Sequence, residues 1–268
     1  MPEAAATAPT LIYPCGEPPE PGTVREVAPG VLWLRMPLPF ALNHINLWAV
    51  ADEDEQGPGW AVIDTGTKTP ETLAAWRQLI APDGPLAATP QGARITRVMC
   101  THMHPDHVGM AGWLTRKFQC RLWMTRLEYL TCRTLVADTG REAPVEAIRF
   151  YCQAGWSEEA LDVYRTRFGG YSKYMHAMPD GFRRLSEGEV LRIGAHGWRV
   201  VVGRGAVDGQ VELVQRCAAG TGPILADAAT MPETVTPAAA EAEPQEHAPM
   251  AEETASAPRH ILYLDDDD

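Results

Sequence analysis

The sequence predicts an α/β fold, because segments with strand character and segments with helix character alternate along its first half. Three short apolar segments come first. An amphipathic helix, a fourth strand, a second helix and a fifth strand follow. The chain has 268 residues, which suits one large domain or two small ones with a substantial core.

The first two strands are expected at residues 31–36 and 43–50, on either side of a proline-containing turn. A third strand, at residues 60–63, is almost entirely apolar, which predicts a central position in a sheet. A tight turn beginning at Asp64 follows it, and the Asp64 carboxylate can accept backbone N–H bonds. We interpret Asp64 as a structural residue that hydrogen-bonds toward the histidine-rich segment downstream.

A helix is predicted next, with Thr69 as N-cap and Pro70 at its first position. Residues 95–100 form a fourth strand, and a helix over 108–118 and a strand over 120–124 come after it. The histidine-rich segment begins at the carboxyl end of the fourth strand. Loops at strand ends are where α/β folds tend to place their chemistry.

Three histidines and one aspartate lie within six residues of that loop: His102, His104, Asp106 and His107. Imidazole nitrogens and carboxylate oxygens are ligands for borderline metals such as zinc. A purely structural origin is disfavoured, because burying such groups without a ligand is costly. The segment therefore predicts a metal site. The isolated histidines at positions 44, 176 and 196 are interpreted as packed or exposed residues instead.

Residues 127–180 are predicted to be mainly helical, with helices over 127–136, 143–153 and 158–168. Strands are expected at 190–193 and 198–202, and two further strands at 211–214 and 224–225. A short strand at 260–264 is the last candidate, and residues 1–30 are predicted to be an irregular lead-in rich in Pro and Gly.

The net charge of −12 is unevenly distributed, because residues 228–268 hold six Glu and four Asp against one Arg and so contribute −9. This tail contains few large apolar side chains and is predicted to be disordered. The remaining residues carry only about −3, without a basic patch, so no nucleic-acid interface is indicated.

The six cysteines form no C-x-x-C pair and are interpreted as buried free thiols of a cytoplasmic protein. The N-terminus shows no basic region followed by an apolar run, and no apolar segment of membrane-spanning length occurs. Neither export nor membrane spanning is predicted, and the oligomeric state is left open.

The order of these elements resembles the metallo-β-lactamase superfamily. The resemblance depends on the strand at 43–50, the Val62-Ile63-Asp64-Thr65-Gly66 turn and, above all, the motif His102-x-His104-x-Asp106-His107. Residues 126–200 resemble the glyoxalase-II-like and hydrolase branches more than the antibiotic-degrading enzymes. The resemblance implies a four-layer αββα sandwich over residues 31–227, with an incomplete second half that is divergent or truncated.

The resemblance also implies a two-metal site. His102 and His104 would bind one ion with a third histidine, and Asp106 and His107 would bind the other with a last histidine. Asp227 matches a bridging aspartate. Zinc is expected, as one or two ions, with manganese or iron as alternatives.

Ala206 stands at the position of the third histidine, and a methyl group cannot bind a metal. Neither His247 nor His260 matches the last histidine well. Both half-sites are therefore predicted to be one histidine short, which predicts weakened metal binding and turnover.

The implied function is a hydrolase that uses a metal-bound hydroxide on an ester, thioester or related bond of a small-molecule substrate, with Asp106 orienting the water or accepting its proton. The alternative is a degenerate member of the family, weak or inactive because of Ala206, that acts as a binding module or is a truncated gene product. The resemblance implies that residues 127–180 form a helical insert that overhangs the site, with Tyr171, Tyr174, Met175 and His176 as candidates for its wall. Simple packing of these four on the domain is an equal alternative.

Overall fold

The computed structural model describes residues 15–203, 210–216 and 259–262. The first sheet has seven strands in chain order: β1 (Arg25–Ala28), β2 (Val31–Pro37), β3 (His44–Asp54), β4 (Gly57–Ile63), β5 (Ile95–Met99), β6 (Arg121–Thr125) and β7 (Arg183–Leu185). Strands β1 to β4 are antiparallel to their neighbours, and β4 to β7 run parallel.

The helices follow the parallel strands: α1 (Pro70–Leu79), α2 (Pro105–Val108), α3 (Ala111–Phe118), α4 (Arg126–Ala137), α5 (Val145–Gln153) and α6 (Glu158–Arg167), with a 3₁₀ turn at Tyr171–Tyr174. Thr69 caps α1 as predicted, since its side chain accepts a hydrogen bond from the Thr72 amide. Ser157 caps α6 in the same way. In the described ranges, none of the helices is long and apolar enough to cross a membrane.

A second, antiparallel sheet has the order β11-β10-β9-β8, formed by β8 (Val190–Ile193), β9 (His196–Gly203), β10 (Gln210–Arg216) and β11 (Arg259–Leu262). Strand β11 pairs with β10, so the short strand expected near residue 260 is present. The strand predicted at 224–225 and most of the acidic tail lie outside the described residues. The domain limits proposed from the sequence stay predictions.

Strand β4 shows how the layers are built. Its side chains alternate between faces. Trp60 and Val62 pack with the helices, and Ala61 and Ile63 pack toward the second sheet, against a core that includes Trp198. Both faces of β4 are thus covered, which explains its uninterrupted apolar sequence and confirms its predicted central position.

The predicted α/β class is confirmed as a mixed sheet flanked by helices on one face and by a second sheet on the other. Of the four expected layers the structure describes three. The outer helical layer on the second sheet is not represented in residues 15–203, 210–216 and 259–262.

Two short edge strands were not predicted. Strand β1 lies within the expected irregular lead-in, and of its residues only Ala28 is buried. Strand β7 contains two arginines and has one buried side chain, Leu185. Neither carries the alternating apolar pattern by which strands are recognised, because each lies at an edge of the sheet.

The helix predicted over residues 108–118 is divided in two. Helix α2 begins earlier, at Pro105, whose fixed φ suits a first helical position. At Met110 the amide donates to the Gly66 carbonyl instead of to the preceding helical turn. That tertiary contact ends α2, and α3 restarts at Ala111.

The prediction of buried thiols is only partly correct. Cys100 and Cys132 are buried, Cys15 and Cys120 are half-buried, and Cys152 is exposed on α5. Helix α5 has no buried residue, so a cysteine on it is exposed to solvent. All five are unpaired, and Cys217 lies outside the described residues.

Candidate metal centre

The histidine-rich loop begins where β5 ends, beside the end of β4. Ile63 and Met99 are register partners in this parallel pair, and the Asp64 amide donates to the Met99 carbonyl at 2.8 Å. The carboxyl ends of parallel strands meet at one edge of a sheet. The Asp64 turn and the loop from Thr101 to His107 are therefore brought together by strand pairing.

His102 and His104 point ring nitrogens at each other. Nε2 of His102 lies 3.0 Å from Nδ1 of His104, and the ring centroids are 4.7 Å apart. Two nitrogen ligands bonded to a tetrahedral zinc at ordinary bond lengths lie about 3.3 Å apart. The observed separation fits two nitrogens that bind one cation, and it also fits an N–H···N hydrogen bond.

Asp106 and His107 form a second pair of donors. Oδ2 of Asp106 lies 3.5 Å from Nε2 of His107, again close to the spacing of two ligands on one ion. The His102 and His107 rings are 3.8 Å apart between centroids, so the two pairs adjoin. His102 and His107 are almost fully buried, whereas His104 and Asp106 are half-buried and reach solvent.

Asp64 orients this loop, as the sequence predicted. Its fully buried carboxylate accepts hydrogen bonds from the Thr101 amide and the Thr101 hydroxyl, both at 2.8 Å. Nδ1 of His107 lies 2.9 Å from the same carboxylate. When Nδ1 donates to a carboxylate, Nε2 keeps its lone pair for a metal, and here Nε2 faces Asp106.

Three residues that hold the Met103 peptide were not predicted from the sequence. The Met103 amide donates to Oε2 of the buried Glu128 at 2.8 Å. The Met103 carbonyl accepts from the Tyr171 hydroxyl and lies 3.8 Å from Sγ of Cys132. The backbone between His102 and His104 is thus fixed from both sides. No specific sequence signal marks Glu128, because an acid three residues after the N-cap Thr125 matches an ordinary capping box.

The described residues do not complete a metal site. No group of three or more His, Cys, Asp or Glu side chains placed to hold a metal occurs within them. The two donor pairs fit two ligands each, and further ligands would have to come from elsewhere. Ala206, Asp227 and His247 all lie outside the described residues, so the bridging role of Asp227 and the missing ligand at Ala206 stay predictions.

His44, His176 and His196 lie outside this cluster as half-buried or exposed residues. His44 contacts its neighbour Asn43. Partial burial lowers the pKa of His176 below its ordinary value, and the Lys68 and Arg116 charges lower this pKa further. A lowered pKa favours the neutral imidazole. The His176 backbone amide donates to the Gly109 carbonyl at 2.8 Å.

A pocket of about 690 Å³ adjoins the half-site formed by Asp106 and His107, and Asp106 belongs to its lining. Tyr171 and Tyr174, two of the four residues proposed as its wall, line it. Met175 does not: it is buried in the main core, because the chain leaves the 3₁₀ turn in an extended conformation there. His176 is not among the lining residues either.

Comparison with known proteins identifies the family. The family model of the Metallo-beta-lactamase superfamily matches residues 45–213. The solved structure of a β-lactamase domain protein from Burkholderia ambifaria is similar, with 36% identity and a TM-score of 0.63 over 75% of this chain and 55% of that one. A metallo-β-lactamase family protein from Thermus thermophilus shares the fold, with 23% identity and a TM-score of 0.52 over 70% of this chain and 56% of that one.

The chain thus spans just over half the length of these two solved structures. Among curated proteins, none matches. The family model covers well over half of the chain and includes the whole histidine-rich loop. The chain belongs to the metallo-β-lactamase superfamily.

Proposed function

We propose that the protein is a metal-dependent hydrolase that acts on an ester, thioester or related bond of a small-molecule substrate. One observation supports this most directly: two pairs of metal-type donors, His102 with His104 and Asp106 with His107, adjoin at one sheet edge next to a pocket. A loop built only for packing would not need four such groups together.

His102 and His104 would hold one ion, and Asp106 and His107 would hold part of a second. Asp227 is proposed as a bridging ligand from its sequence position alone. Zinc suits this nitrogen and oxygen donor set, with manganese or iron as alternatives. When bound, the metal would act as a Lewis acid that activates water and polarises the scissile group.

The chain's own residues have separate tasks in this proposal. Asp106 lines the pocket, so its carboxylate can orient a water molecule or accept its proton. Asp64 and Thr101 hold His107 in one orientation. Glu128 and Tyr171 hold the peptide between His102 and His104. Preorganisation of this kind reduces the rearrangement of polar groups that the reaction requires.

The branch of the superfamily, the cellular location and the substrate class are also proposals. The helical insert, with α5 and α6 before the pocket-lining 3₁₀ turn, favours a glyoxalase-II-like branch and hence a thioester or ester substrate. The five described cysteines are all unpaired, which favours a reducing compartment such as the cytoplasm. The near-neutral charge of residues 1–227 disfavours nucleic acid as a substrate.

A second candidate function is a degenerate family member that binds ligands and turns over weakly or not at all. It is favoured by Ala206, because a methyl group stands where the resemblance places the third histidine. The variant Ala206→His separates the two. If Ala206 weakens the site, this variant binds zinc more tightly than the parent; if the parent already holds two equivalents equally tightly, Ala206 is not a defect.

The hydrolase is tested by screening thioester, ester, lactone and phosphodiester reporters after loading with zinc, manganese or iron. His104→Ala is the test variant, and His196→Ala, an exposed residue on β9, is the matched control. The proposal expects activity in the parent and the control and its loss in His104→Ala. Activity that survives in His104→Ala contradicts the metal mechanism, and inactivity of the parent with every metal favours the degenerate member.

A further inference from the structure

The hydroxyl of Thr67 has no hydrogen-bond partner among the described residues, although Thr67 is only 1% exposed. It lies in the loop between the Asp64 turn and α1. Buried hydroxyls are nearly always paired, because leaving one unpaired forfeits its hydrogen bonds to water. Thr67 also lines the 690 Å³ pocket that contains Asp106, so a ligand bound there can become the partner of this hydroxyl once the side chain turns toward it.

The pocket has the size and composition of a small-molecule site. Its volume falls in the range typical of ligand pockets, about 300–1,000 Å³. Pro105 and Asp106 come from the start of α2, and the exposed aromatic side chains of Phe40 and Tyr174 come from two other segments. The pocket therefore combines an apolar surface with a few polar groups near the candidate metal centre.

Two cations belong to the lining of this pocket. Arg167 and Lys173 are exposed, and neither forms an ion pair with any residue that the structure describes. By contrast, Arg165 pairs with Glu158 and Asp162, and Arg133 pairs with Asp180. Asp106 is the acid in the lining, and it belongs to the proposed metal centre. The charge on this side of the pocket is thus suited to an anion.

We propose that the pocket binds a substrate whose acyl part ends in an anionic group, a carboxylate or a phosphate. Arg167 and Lys173 bind the anion, and Phe40 and Tyr174 contact the apolar part. The Thr67 hydroxyl donates a hydrogen bond to a substrate oxygen. This inference rests on the proposed hydrolase, because it treats the pocket as the substrate site. Ligand binding to the pocket can be tested without turnover.

The test is equilibrium binding by calorimetry to the full chain in EDTA, so that no ligand can bind through a metal. Three probes carry a phenyl ring on a four-carbon chain: 4-phenylbutyrate, 4-phenylbutyl phosphate and the neutral 4-phenylbutyramide. At least one anion should bind at least fivefold more tightly than the amide, and the tighter anion identifies the group preferred. An amide that binds as tightly as both anions overturns the proposal.

Variants assign the contacts. Lys173→Gln and Arg167→Gln should each weaken anion binding by roughly three- to tenfold and leave amide binding unchanged, as expected for a charge-assisted contact near solvent. Arg149→Gln, which removes an exposed charge on α5 outside the pocket, is the matched control. Equal effects of Lys173→Gln and Arg149→Gln contradict the assignment.

Thr67→Val keeps the side-chain volume and removes the hydroxyl. It should weaken binding of all three probes, while the thermal midpoint stays equal or rises, because an unpaired buried hydroxyl does not stabilise the fold. A lower midpoint with unchanged binding would make Thr67 structural. Because binding is measured without metal, an inactive enzyme that still prefers anions would refute the hydrolase and leave the anion pocket standing.

Discussion

Oδ2 of Asp64 lies 2.9 Å from Nδ1 of His107, and this contact connects the turn after β4 to helix α2, which follows β5. The same carboxylate accepts two hydrogen bonds from Thr101. Asp64 also has a φ of 61°, a left-handed conformation that Asp and Asn tolerate better than most residues. One buried acid thus fixes both the turn after β4 and the histidine loop after β5.

Replacing Asp64 with Asn keeps the shape and the tolerance of positive φ, but removes the charge and one acceptor oxygen. We expect Asp64→Asn to lower the free energy of unfolding by about 1–3 kcal/mol, because a buried donor loses its acceptor. Metal affinity should fall by about 10–100-fold, since His107 loses its orienting partner. Urea unfolding and zinc titration measure these effects, with the exposed Asp83→Asn as control. Unchanged zinc affinity in Asp64→Asn would show that Asp64 does not act through His107.

Gly112 on α3 packs directly against the segment that follows the 3₁₀ turn. A Cβ at this position would lie 2.0 Å from the Ala177 carbonyl oxygen, so the backbone would have to move. Although Ala is the better helix former, we expect Gly112→Ala to destabilise the protein by about 1–3 kcal/mol, because overpacking outweighs propensity. Gly181→Ala is the control, since nothing lies within 4 Å of its Cβ position. Equal midpoints of urea unfolding for the two variants would contradict this close packing.

Glu128 supports the histidine loop through the Met103 amide. Glu128→Ala removes the carboxylate that accepts from the Met103 amide. We therefore expect a loss of about 1–3 kcal/mol in the free energy of unfolding. Zinc binding should weaken as well, because the peptide between His102 and His104 is released on one side. The exposed Glu146→Ala on α5 should stay within about 0.5 kcal/mol of the parent. If Glu128→Ala is as stable as Glu146→Ala, Glu128 does not support the histidine loop.

The thiols should differ sharply in reactivity. Burial raises the pKa of Cys120 to about 11 and the pKa of Cys132 to about 12, and it raises the pKa of Cys100 well above its ordinary value. At pH 8 a thiol with a pKa near 12 is ionised in only about one molecule in ten thousand, and the thiolate is the reactive form. Iodoacetamide should therefore label the exposed Cys152 first, and labelling of Cys120 and Cys132 should increase as the pH rises. Peptide mapping that finds Cys100 or Cys132 labelled as fast as Cys152 would contradict the described burial.

Much of the architecture could be predicted from local sequence. Strand β4 is apolar throughout because both of its faces are buried, and Thr69 and Pro70 mark the start of α1. The edge strand β1 could not be predicted in this way, because pairing with β2 forms it without an apolar pattern of its own.

The candidate site was predictable only as far as it is local. Its four donors occupy one short segment, so the motif could be identified from the sequence. Glu128, Cys132 and Tyr171 hold that segment through contacts between residues 25 to 68 positions apart, which no local pattern encodes. The unpaired hydroxyl of Thr67 is likewise visible only after folding, since burial rather than residue type distinguishes it.

The central claim is that the loop from His102 to His107 binds a catalytic metal, and the most direct test is zinc content and affinity. The measurement is elemental analysis with a chelator competition on the parent, on His104→Ala and on the control His196→Ala. We predict that the parent and the control bind zinc equally, and that His104→Ala loses at least one equivalent, because Nδ1 of His104 pairs with Nε2 of His102. Zinc bound by His104→Ala in the same amount and with the same affinity as by the parent would contradict the claim.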